Sequence, residues 1–247
     1  MRLSTGTSGF RYDEWRPAFY PPEVRGDAML RFYATQLPAV EVHNTFYRMP
    51  AASLAEGWRK QVGEDFRFAV KAPMGIANRL RLRDCEAMLA QLAAALAPLG
   101  DALGCIYYAV PAYVKADVGL LREFLAMPQP CARVAMEFAG DDWHNEATYG
   151  ALRNANAAFV VVDRDEAPVH EVPDTGDWAY VRLRRADYDE EALRWWAERL
   201  AGGGRREAFA FFRHEATAAG PRFARRMLEL VGPLPNAPSP RRRKRLP

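Results

Sequence analysis

Two spacings of apolar residues alternate along this chain. Short runs in which buried-type and polar or small residues alternate predict strands at 3–9, 40–43, 66–72, 103–108, 133–138, 158–162, 178–183 and 208–212. Between them, apolar residues recur every three to four positions and predict helices. Expected helix starts are Asp27 (to residue 37), Ser53 (to 61), Asp84 (to 96), Asp117 (to 127), Asn145 (to 155) and Asp189 (to 200), with a last helix over 217–230. Two stretches break the pattern. Residues 10–22 are aromatic and Pro-rich, which rules out a helix interior and predicts an ordered loop across one end of the domain. Residues 163–176 read as loop with at most one helical turn.

Eight strands alternating with helices imply a parallel sheet covered by helices. Eight such units in about 250 residues are what a TIM (β/α)8 barrel requires. A doubly wound open sheet is the competing architecture, and is disfavoured because such sheets more often have fewer strands. Residues 1–232 are expected to form this single domain. Residues 233–247, Pro-rich and then basic, are expected to be a disordered tail.

The strand alternation sorts chemistry as well as burial. Glu41 and His43 oppose Val40 and Val42; Ala69 and Lys71 oppose Phe68 and Val70; Ala135 and Glu137 oppose Val134 and Met136; Tyr180, Arg182 and Arg184 oppose Val181 and Leu183. In a barrel the bulky apolar set meets the helices and the other set points inward. Glu41, Lys71, Glu137 and Arg182 sit late in their strands, so they are expected together at the C-terminal mouth, where barrel active sites are built. Two carboxylates and two cations there nearly neutralise one another. A purely structural ion network that fixes the barrel is the plainer alternative.

Composition narrows the setting. The chain has 247 residues and is 49% hydrophobic, enough for one large core. Three unpatterned cysteines (Cys85, Cys105, Cys131) argue against a disulfide scaffold. No signal peptide opens the chain and no apolar run is long enough for a bilayer, so a soluble cytoplasmic protein without membrane contact is expected. The formal charge is +3, and the five cations at 241–245, taken away, leave −2 for the body. That balance counts against a nucleic-acid-binding body and leaves weak adhesion to nucleic acid or acidic surfaces to the tail. Thirty arginines stand against four lysines, so Lys71 at a strand end reads either as a position where an ammonium is needed or as chance. His43, His144, His170 and His214 are dispersed without zinc spacing, and neither a phosphate-binding loop nor a nucleophile elbow is present. Glu41 and Glu137 alone are a weak metal signal, and no cofactor is identified.

Thr7-Ser8-Gly9-Phe10 with Tyr12 and Trp15, Phe19-Tyr20-Pro21, Val40-Glu41-Val42 with Asn44-Thr45-Phe46-Tyr47 and Pro50, Trp58, residues 66–73, Glu137-Phe138 with Trp143, and Tyr180-Val181-Arg182-Leu183 with Tyr188 occur in order. Together they resemble the YecE-like family, also called domain of unknown function seventy-two. The resemblance implies a TIM-barrel fold and brings no established reaction. The chain departs from the family's preferences at Ala77-Asn78, Ala109-Val110, Ala139-Gly140, Arg184-Arg185 and Arg213-His214. The departures imply either a changed substrate or a reduced activity.

The expected site therefore has Glu41, Lys71 and Glu137 as catalytic groups, with Arg182, Arg184, Asn44, Tyr47, Trp143 and Tyr12 binding substrate. The leading expectation is a hydrolase or lyase acting on a small phosphate- or carboxylate-bearing molecule. A nucleic-acid-binding or nuclease-like barrel, with Trp15, Phe19 and Tyr20 stacking on bases, is a second. A non-catalytic binding module with a degenerate site is a third.

Overall fold

The computed structural model describes residues 1–167, 169 and 171–231. The basic tail and His170, both weighed above, lie outside the described residues. Eight strands follow one another around a closed barrel: β1 (Arg2–Ser8), β2 (Ala39–Val42), β3 (Arg67–Lys71), β4 (Leu103–Val110), β5 (Val134–Phe138), β6 (Ala158–Asp163), β7 (Trp178–Leu183) and β8 (Glu207–Phe212). Every neighbouring pair is parallel, and β8 returns to pair with β1 from Arg2–Glu207 to Thr7–Phe212. Closure excludes the open sheet. The helices are α1 (Ala28–Gln36), α2 (Ala52–Arg59), α3 (Glu86–Leu96), α4 (Val118–Ala126), α5 (Glu146–Asn154), α6 (Glu190–Ala201) and α7 (Ala219–Val231).

The strand alternation makes two separate cores. Val40, Val42, Phe68, Val70, Ile106 and Met136 pack outward with the helices. Ala39, Ala69, Ala135 and Ala158 point inward with Tyr107, Tyr180, Trp178, Phe209 and Phe211. Alanines on four strands leave the room that large rings from β4, β7 and β8 fill, so the interior is packed rather than hollow. Tyr107 and Tyr180 stack across it at 5.6 Å, and Trp178 meets Phe209 edge-on at 5.8 Å. This aromatic plug is the floor on which the charged residues stand.

Helix starts were only partly legible. Asp117, Asn145 and Asp189 accept hydrogen bonds from Leu120, Thr148 and Ala192, as N-caps should. Asp27 precedes α1 without capping it through its side chain, and Ser53 lies inside α2. Asp84 has φ of 49°, outside any helix, so α3 starts at Glu86 after an irregular turn. The loop over 10–22 crosses the barrel end as expected, but Trp15, Phe19 and Tyr20 are buried in it. Trp15 Nε1 donates to the Glu215 carbonyl and Tyr20 OH to that of Phe10. These rings belong to the core and offer no face for base stacking, which corrects that expectation.

Gly6 is required by close approach in the wall. Tyr33 of α1 pushes its hydroxyl between β1 and β2, accepting from Thr7 N at 2.8 Å and donating to the Ala39 carbonyl at 3.0 Å. A Cβ on Gly6 would stand 1.8 Å from that carbonyl oxygen and 2.7 Å from the hydroxyl. No helix among the described residues is long and apolar enough to cross a membrane.

Candidate active site

β2, β5 and β7 bring Glu41, Glu137 and Arg182 to one end of the barrel, each the inward residue nearest its strand's C-terminus. Arg182 joins the carboxylates. Its Nε lies 3.0 Å from Glu41 Oε2 and its Nη1 2.7 Å from Glu137 Oε2. Tyr107 completes the junction, donating its hydroxyl to Glu137 Oε2 at 2.5 Å and accepting from Arg182 Nη1 at 3.0 Å.

Glu41 is fully buried and saturated. Ser8 Oγ and His43 Nε2 each approach Oε1 at 2.5 Å, Arg184 Nη2 reaches it at 3.0 Å, and Tyr180 OH donates to Oε2 at 2.6 Å. Burial pushes this carboxyl up, but Arg182, His43 and Arg184 together outweigh it and hold the group well below the ordinary carboxylate range. It is an ionised anchor, with no lone pair left for a substrate proton or a cation.

Glu137 differs. Burial pushes it up, and Arg182 with the Tyr107 hydrogen bond brings it net below its ordinary value. Its Oε2 is engaged twice, while its Oε1 accepts no hydrogen bond among the described residues. The side chain is 15% exposed. β5 and β6 pair only at Ala135–Ala158 and Met136–Phe159, so the wall parts just beyond them. A cleft of about 730 Å³ opens there, with Glu137 on its edge and His144, Asp141, Val160 and Arg164 among its walls.

Lys71, at the end of β3, is the remaining cation. Its Nζ lies 4.1 Å from the centre of the Phe46 ring and 5.4 Å from that of Tyr107. Among the described residues no carboxylate oxygen comes within 4 Å of it. Burial, and next the nearby Arg182 charge, lower its pKa from the ordinary lysine value. This inward cluster thus sets Glu41 and Glu137 against Arg182, Arg184 and Lys71, a surplus of one positive charge before His43 is considered.

The expected binding residues are not all in this cluster. Arg182 and Arg184 are. Tyr12 sits at the rim, with its hydroxyl donated to the Ser8 carbonyl at 2.6 Å and its ring 3.9 Å from that of His214. Asn44 and Tyr47 lie outside on the loop after β2, Tyr47 being 80% exposed. Trp143 is a correction. It is wholly buried behind the wall, stacked on Phe138 at 4.5 Å, with Nε1 donated to the Val114 carbonyl. An indole in that position packs behind β5. Conversely, Ser8, Tyr107 and Tyr180 were not expected as site residues. Their signal was parity, since Tyr180 shares the inward face of Arg182 and Tyr107 that of Ala109 beside Glu137. Among the described residues, no group of three or more His, Cys, Asp or Glu is placed to hold a metal ion.

Comparison with known proteins agrees with this architecture. Residues 4–245 match a family model described as "Protein of unknown function DUF72". The chain is 32% identical over 94 residues to the UPF0759 protein YecE of Escherichia coli K12, covering 38% of this chain and 35% of YecE. It is 25% identical over 187 residues to the UPF0759 protein YunF of Bacillus subtilis, covering 71% of this chain and 64% of YunF. These alignments therefore span about a third and under two thirds of the relatives' lengths. Among solved structures, a DUF72 family protein from Thermotoga maritima superposes with a TM-score of 0.78 at 25% identity, over 94% of this chain and 99% of the other. One from Enterococcus faecalis does so with a TM-score of 0.75 at 18% identity, over 95% and 97%.

Proposed function

The chain belongs to the DUF72 family, and from its mouth we propose that it is an enzyme acting on a small anion, as a hydrolase or lyase. The observation that carries this reading is Lys71, an ammonium held between two rings with no carboxylate within 4 Å while both mouth carboxylates are engaged by arginines. A phosphate or carboxylate on the substrate supplies the missing negative charge. Glu137 is the proton-transfer group. It is ionised at neutral pH, its Oε2 is fixed by Tyr107 and Arg182, its Oε1 accepts no hydrogen bond among the described residues, and its side chain borders the cleft. It therefore begins the cycle as a base, taking a proton from water or from carbon next to a carbonyl. Glu41 serves as a counter-ion that positions Arg182 and Arg184. Arg184, at one of the departures from the family pattern, adds a cation to the site rather than removing a polar group.

A second reading is favoured by one observation: Glu41 is so completely satisfied that this part of the network is sufficient as a structural lock. Thermal unfolding against inorganic phosphate, sugar phosphates and small carboxylates separates the two. At a hundred times its dissociation constant a ligand stabilises by about 2.7 kcal/mol. A shift in wild type that disappears in Lys71→Met supports the anion site. The same shift in both, or none in either, leaves the structural lock.

A further inference from the structure

The mouth uses arginine wherever a carboxylate is bound, and lysine only where none is. For holding an anion, arginine gives a permanent charge and a two-pronged grip that lysine lacks. What lysine alone offers is an amine that can become neutral and attack carbon. Resting on the reading of the mouth as an anion-binding active site, we propose that Lys71 condenses with the carbonyl of a small anionic aldehyde or keto acid to form a Schiff base, which makes the chemistry that of a lyase.

Three features of the site fit this step. Nζ has no carboxylate within 4 Å to hold its proton among the described residues, and it lies over Phe46 and near Tyr107, whose faces strip it partly of water while replacing only part of a counter-charge. Burial and the neighbouring Arg182 both work against its proton. Glu137 Oε1, which accepts no hydrogen bond among the described residues, lies beyond 4 Å of Nζ, so it takes that proton by way of solvent at this half-exposed mouth. The step then balances. The ammonium gives a proton to Glu137, and the amine lone pair forms the C–N bond while the carbonyl π pair moves to oxygen. A proton passes from nitrogen to that oxygen, giving the carbinolamine. Glu137 returns its proton to the hydroxyl, which leaves as water, and the nitrogen lone pair closes the iminium. The iminium carries the same single positive charge as the ammonium it replaces. It stays over the same rings, and the anionic group of the substrate still has its counter-charge.

The test is reductive trapping on the full chain. Wild type, Lys71→Met and Lys71→Arg are incubated with pyruvate, glyoxylate or dihydroxyacetone phosphate and reduced with cyanoborohydride, and the modified peptides are mapped by mass. Lys60 and Lys115, both exposed, are internal controls. A stable adduct on the Lys71 peptide, lost in both variants and in preference to Lys60 and Lys115, is the expected result. Competition labelling with acetic anhydride at neutral pH makes the test independent of the carbonyl chosen, and Lys71 is expected to label ahead of the two controls. Labelling no faster than theirs, or trapping spread evenly over Lys71 and the other lysines, overturns the proposal. If phosphate or carboxylate still stabilises wild type but not Lys71→Met while no adduct forms, the Schiff base fails and the anion site survives. If neither is seen, both fail.

Discussion

Arg182 on β7 reaches across the mouth to Glu41 on β2, three strands away around the barrel, with its Nε 3.0 Å from Oε2. The same guanidinium bonds Glu137 on β5 at 2.7 Å. One side chain therefore ties three strands that share no backbone hydrogen bond. Removing the buried Glu41 charge leaves Arg184 without its carboxylate and Arg182 with Glu137 alone. Glu41→Gln is expected to lower unfolding free energy by about 3 kcal/mol, measured by urea titration. A loss below about 0.5 kcal/mol would mean that the network is solvated and not structural.

Acid titration reads the same pair. Glu41 and Glu137 are both held below their ordinary value of 4.5, against burial, by Arg182 and, respectively, by His43 and Arg184 or by the Tyr107 hydroxyl. Tyr180 and Lys71 face the same cluster. In the folded state each carboxyl releases its proton at lower pH than in the unfolded chain. Their stabilisation is therefore fully present above about pH 4.5 and is lost as pH falls through the folded values. Urea midpoints taken downward from pH 7 should fall below that point, and more shallowly in Glu41→Gln. A parallel fall in the variant would assign the acid limb to other carboxylates.

Lys71 should behave as a functional residue at odds with stability. Its ammonium is partly buried without a carboxylate, and the folded state lowers its pKa. Folding is thus opposed by its charge at neutral pH, and this opposition is relieved as pH rises. Lys71→Met is expected to be at least as stable as wild type, by up to about 1 kcal/mol, while anion-dependent stabilisation disappears. Clear destabilisation would show that the two ring contacts outweigh desolvation.

Trp143 separates support from binding. Trp143→Ala empties a buried site behind β5 and should remove about 3–5 kcal/mol, while Trp143→Phe should keep most of the stacking on Phe138. In Trp143→Phe, the stabilisation by phosphate or carboxylate should equal that of wild type. A weakened ligand response in a stably folded Trp143→Phe would restore the indole as a binding group.

Gly6→Ala tests the wall. The added methyl meets the Ala39 carbonyl at 1.8 Å, a backbone atom that cannot swing away. Strain of several kcal/mol, roughly the upper range of overpacking, is expected as a drop in melting temperature. Adding Tyr33→Phe removes the nearby hydroxyl but not the carbonyl, so it should not rescue the variant.

The order of strands and helices and the inward parity of Glu41, Lys71, Glu137 and Arg182 were legible in the sequence because they are local, whereas the barrel was inferred from the count of eight units and its closure was decided by the pairing of β8 with β1. A strand's two faces follow from alternation alone, and a short apolar run between caps is a strand wherever it lies. Residues Asp117, Asn145 and Asp189 could be read as caps for the same reason. What only the tertiary structure decided depends on the stagger of strands around the barrel. That stagger sets which hydroxyl meets which carboxylate, so Tyr180 and Ser8 reach Glu41 while Tyr107 reaches Glu137. It also separated the two glutamates into a saturated anchor and a group with a free oxygen, and it left Lys71 over aromatic rings instead of in an ion pair. Trp143 shows the converse. An aromatic residue near a strand end reads the same in sequence whether its ring turns to the mouth or to the helices, and only packing behind β5 determined that it turns away.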